Sequence, residues 1–67
     1  MRLSDVLPEI GLDPAEAEIK KIANGKFHVE HDVCNPYYGY SFDIELTDTT
    51  VIITNSVYGD NGEFEFV

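Results

Sequence analysis

A chain of 67 residues has room for one domain, and a domain of that size buries only about 60% of the surface its unfolded form exposes. Its 43% hydrophobic content, with four Phe and four Tyr, excludes a disordered acidic tail. Thirteen acidic residues against four basic ones give a formal charge of -9, which argues against nucleic acid or an anionic membrane as direct partner and points to a basic protein surface.

In chain order, Leu3, Val6, Leu7 and Ile10 fall at i, i+3, i+4 and i+7. This spacing predicts a short helix that starts near Ser4, turns irregular at Pro8 and stops at Gly11. Asp13-Pro14-Ala15-Glu16 then supplies an N-cap, a proline at the first helical position and a capping-box glutamate. A second helix is expected from Pro14 to about Asn24, burying Ala15, Ile19, Ile22 and Ala23, with Gly25 as its left-handed cap. From Phe27 the hydrophobic period changes to two, and four strands are expected: Lys26–Val33, Tyr40–Thr47, Thr50–Val57 and Glu63–Val67. Asn61-Gly62 carries the hairpin signal between the last two. The expected architecture is α+β, with two short N-terminal helices packed on one face of a four-stranded antiparallel meander. It forms a single domain, 1–67, with helical part 3–24 and sheet part 26–67.

Charge is sorted along this chain. Arg2, Lys20, Lys21 and Lys26 all lie in the first 26 positions, while Phe27 to Val67 holds eight acidic residues and no lysine or arginine. Alternation turns Phe27, Val29, Val33, Tyr40, Phe42, Ile44, Leu46, Phe64 and Phe66 inward. It turns His28, Glu30, Asp32, Ser41, Asp43, Glu45, Glu63 and Glu65 outward. In Thr50–Val57 the pattern is open, since Val51 and Ile53 alternate one way and Ile52 and Thr54 the other. The expected partner-binding set is Glu30, Asp32, Asp43, Glu45, Glu63 and Glu65, rimmed by Tyr37 and Tyr38 and, more widely, by Tyr40 and Tyr58. A purely solvated face that aids solubility is the competing explanation.

Other groupings carry less. His28 and His31 project to opposite faces of one strand and cannot share a tetrahedral metal with Cys34. Asp60-Asn61-Gly62-Glu63 lacks the ligand spacing of a calcium loop. Cys34 has only His31 nearby as an activating base, so a small, half-buried side chain is expected there. Glu63 and Glu65 lack the concave site that acid–base chemistry requires. The expectation is no enzyme, no cofactor, no metal and no small-molecule substrate. A lone cysteine, the absence of an apolar run of ~18 residues, and Ser4-Asp5 directly after Met1-Arg2-Leu3 point to a reducing cytoplasm, and a monomer is expected.

Dense carboxylates on a rigid strand face can imitate DNA phosphates in a groove lined with Lys and Arg. In size, acidity and the acidic strands Glu30–Asp32, Asp43–Glu45 and Glu63–Glu65, the chain resembles small phage and mobile-element proteins. In particular it resembles anti-CRISPR proteins that occupy a DNA-binding surface of a type I-C Cascade complex. The resemblance implies an inhibitor directed at a nucleic-acid-binding complex. An immunity or antitoxin-like protein that neutralises a basic toxin or nuclease, and an assembly module that extends a larger complex, are the alternatives.

Overall fold

The computed structural model describes residues 1–66. Leu3–Val6 forms one α-helical turn (α1), followed by a 3-10 turn at Leu7–Ile10. Pro8 cannot donate to an α-helical ladder, so the segment tightens there as its sequence suggests. Gly11 closes it in the left-handed region at φ 84, its N–H donating to the carbonyls of Leu7 and Pro8.

Beyond Gly11 the expectation fails. Asp13 does cap: its Oδ1 accepts from the Ala15 N–H at 2.9 Å, and its carbonyl from the Glu16 N–H at 3.0 Å. The turn then stops, and Glu18–Ala23 is a strand, β1, in place of a second helix. Ile19 and Ile22, expected to be buried, are 41% and 47% exposed. A lone helix of about 11 residues is marginal in water, whereas pairing with the next strand satisfies its backbone groups at once. Asn24-Gly25 is the two-residue turn between β1 and its neighbour, with Gly25 at φ 72 and Ala23 opposite Lys26.

The remaining strands are β2 (Lys26–Asn35), β3 (Gly39–Leu46), β4 (Thr50–Val57) and β5 (Gly62–Glu65). Among the described residues, five antiparallel strands in the order β1-β2-β3-β4-β5 make a meander, one strand more than the sequence suggests. The β4–β5 connection differs from the expected Asn61-Gly62 turn. Gly62 already pairs with Ile53, and Asn61 accepts the Ser56 N–H on its side-chain oxygen at 3.0 Å.

The core lies between the helical segment and one sheet face, where Val6, Leu7 and Ile10 meet Val29, Phe42, Ile44, Val51 and Ile53. Two residues expected inward are exposed instead: Val33 at 77% and Tyr40 at 44%. Both lie where the ladder is irregular, Val33 between Glu30 and Asn35 and Tyr40 between Gly39 and Ser41, so alternation no longer fixes their direction. Asn35, the buried polar residue, joins the layers. Its amide donates to the Ile10 carbonyl at 2.8 Å, and its oxygen accepts the N–H groups of Tyr37 and Tyr38 at 2.8 and 3.0 Å.

Candidate protein-binding face

Cross-strand partners share a face, so register identifies what stands opposite the core. Four rungs cross the outer side: Glu18–Glu30–Ser41–Val57, Lys20–His28–Asp43–Thr54, Lys26–Glu45–Ile52–Glu63, and Thr50–Glu65. Strands lie about 4.8 Å apart and alternate residues about 6.7 Å apart, so these six carboxylates occupy one patch. Glu30, Asp43, Glu45, Glu63 and Glu65 stand where alternation predicts. The open question in β4 resolves with Val51 and Ile53 buried and Ile52 outward between Glu45 and Glu63.

Of the other expected members, Asp32 and Tyr38 are placed differently. Asp32 is exposed but lies in the unpaired stretch between Glu30 and Asn35, beside a cleft it shares with Glu16, Glu18, Glu30 and His31. Tyr37 is 62% exposed, as a rim residue should be. Tyr38 is a core-flanking residue whose ring lies 5.6 Å from that of Phe42, and burial pushes its hydroxyl pKa up.

The face is also less purely anionic than the sequence suggests. Once Glu18–Ala23 is a strand, Lys20 and Lys26 enter the outer rungs, and six carboxylates against two lysines leave -4 with His28 neutral. Glu18, outside the expected set, joins by the same change.

His28 is bonded to two carboxylates of this face. Its Nδ1 lies 2.7 Å from Asp43 Oδ1 and its Nε2 3.0 Å from Glu30 Oε1. Both partners accept when ionised, so the imidazolium, which donates from both nitrogens, satisfies both contacts at once. Its pKa is raised above the ordinary 6.5, first by the bond to Asp43 and then by that to Glu30. Asp43 in turn lies below its ordinary 3.8, held there first by the Asn55 amide, which donates to Oδ2 at 2.8 Å, and then by His28. Asn55 has φ 54 and lies where β4 carries one residue more than β3 requires. Asparagine tolerates that conformation, and the bulge brings its amide to Asp43.

Glu30 and Asp43 are thus committed to His28. Glu45, Glu63 and Glu65 are not: among the described residues the ion pairs are Arg2–Asp5 at 3.5 Å and the two of His28. On this face the carboxylates outside any ion pair are therefore Glu18 at the β1 edge and the group of Glu45, Glu63 and Glu65 around Ile52.

On the core side, His31 lies edge-on to Phe42 at 6.4 Å between ring centroids, with its Nε2 buried and unbonded. The two histidines do face opposite ways. Cys34 is exposed, against the expectation of a half-buried thiol, because it too lies in the irregular end of β2. Among the described residues, no group of three or more His, Cys, Asp or Glu could hold a metal ion. No helix there is long and apolar enough to cross a membrane.

No family model, curated protein or solved structure matches this chain.

Proposed function

We propose that this chain is a small acidic inhibitor that occupies the nucleic-acid groove of a basic protein or complex, its strand-face carboxylates standing where DNA phosphates would lie. The observation that supports this reading is the register that brings Glu45, Glu63 and Glu65 together around Ile52 on adjacent rungs. Glu45 and Glu63 flank Ile52 on one rung and Glu65 stands about 6.7 Å along β5 from Glu63, a crowding of like charge that folding alone does not demand. Duplex DNA presents a dense, regular row of negative charge, and a rigid sheet holds its carboxylates at fixed spacings, about 6.7 Å along a strand. An anti-CRISPR protein directed at a type I-C Cascade complex is the specific form of this reading.

The test uses purified type I-C Cascade and its target duplex. Wild-type protein is expected to prevent duplex binding, and Glu45→Lys with Glu63→Lys to require at least about tenfold more protein for the same effect, with little change in Tm. Both side chains point away from the core, so loss of fold does not confuse the result. Asp43 is the wrong residue to reverse, since it anchors His28 and Asn55. Undiminished inhibition by the double variant would refute the reading.

The exposed pair Tyr40 and Tyr58, with ring centroids 6.3 Å apart, favours a second reading: an immunity-like protein that neutralises a basic toxin or nuclease through aromatic anchors. Salt separates the two, because carboxylate–cation pairing weakens as salt rises and aromatic anchoring persists.

A further inference from the structure

Among the described residues, two other than glycine have positive φ, Asn55 at 54 and Tyr58 at 60, and they differ in what explains them. Asn55 tolerates the left-handed region and its amide bonds Asp43. Tyr58 has neither excuse. A tyrosine there is conformationally disfavoured, and at 87% exposure its ring buries little in return. Glycine would suit the backbone better, so folding does not account for the side chain.

The backbone around Tyr58 is nevertheless fixed. A Cβ on Gly59 would lie 2.3 Å from the Tyr38 carbonyl carbon, so the loop sits directly on the β2–β3 turn. The Asp60 N–H donates to the Tyr37 carbonyl at 3.0 Å. Tyr58 meets Tyr40 edge to face at 85° between ring planes. Val57, 42% exposed, pairs with Ser41, which pairs with Glu30, so the aromatic end continues the acidic face.

We infer that Tyr40 and Tyr58 form a second docking surface that takes arginine side chains of a basic protein partner, stacking guanidinium groups on exposed ring faces beside the carboxylates. This rests on the reading that the partner is basic, which the charge of -9 supports. Arginine is favoured over lysine because a planar, weakly hydrated guanidinium stacks on an aromatic face and still bonds a carboxylate.

The probes are nona-arginine and nona-lysine peptides titrated into the full chain and followed by NMR. The arginine peptide is expected to shift the ring protons of Tyr40 and Tyr58 and to bind about two- to fivefold tighter than the lysine peptide. Tyr58→Gly should abolish that preference with Tm unchanged or higher, while Tyr58→Phe keeps it. If both peptides bind equally and leave the rings unshifted while Glu45→Lys with Glu63→Lys weakens them, the carboxylates act alone and this inference falls, leaving the acidic-face reading intact. If the rings shift and that double variant binds as the wild type does, the tyrosine surface stands and the acidic-face reading falls. Sedimentation showing a dimer lost in Tyr58→Gly would assign the surface to a second copy and overturn the inference.

Discussion

His28 gains a proton more readily in the folded chain than in the unfolded one, since Asp43 and then Glu30 hold it as a donor. Its contribution to stability is fully present below its unfolded value of 6.5 and is lost as pH rises through the higher folded value. Asp43 acts in the opposite sense: its contribution is present above 3.8 and is lost as pH falls through the lower folded value. Between those two limits both groups are charged and paired, so thermal melts should show a higher Tm at about pH 5.5 than at pH 8. His28→Ala should remove most of that difference, and an unchanged difference would place its origin elsewhere. Asn35 is a second residue on which much depends, because one buried amide serves the Ile10 carbonyl and two N–H groups of the following turn. Asn35→Ala leaves those groups without their partner and should cost about 1 to 3 kcal/mol in denaturant unfolding, a large share of what so short a chain has.

Among the elements, the clearest correction is the segment that begins as a helix and continues as a strand. Asp13-Pro14 reads correctly as a capping turn, and its bonds form. What local spacing does not contain is the competing partner: Glu18–Ala23 becomes β1 because β2 offers an unpaired edge, and Asn24-Gly25 links them as a hairpin turn where helical spacing suggests a C-cap. Asn24-Gly25 was the available signal, the same dipeptide that suggested a turn at Asn61-Gly62. The strict alternation of Phe42, Asp43, Ile44 and Glu45 made β3 legible, and with it the central acidic positions. Bulges erase that alternation, and this is why Val33, Cys34 and Tyr40 escaped it. Gly25 carries the testable consequence. At φ 72, with a new Cβ 3.1 Å from the Leu46 carbonyl oxygen, Gly25→Ala should destabilise the chain by about 1 to 2 kcal/mol, read from the urea midpoint.

For the molecule as a whole, moving Lys20 and Lys26 onto the acidic face changes how that face should be regarded. It is a patterned surface: on β1 and β2 Lys20 and Lys26 offset Glu18 and Glu30, a histidine shared by two carboxylates stands in the middle, and β3 and β5 carry Asp43, Glu45, Glu63 and Glu65 with no cation of their own. Such a gradient orients a partner as well as attracting it. The sequence exposed the carboxylates but not the gradient, which depends on which strand lies beside which. The strand order has a kinetic corollary. Every strand hydrogen-bonds only to its neighbours along the chain, so each pairing closes a short loop and no distant segments must find one another. Stopped-flow refolding should therefore show its main phase on the millisecond scale. A chain built this way needs neither a covalent clasp nor a slow search before it can act.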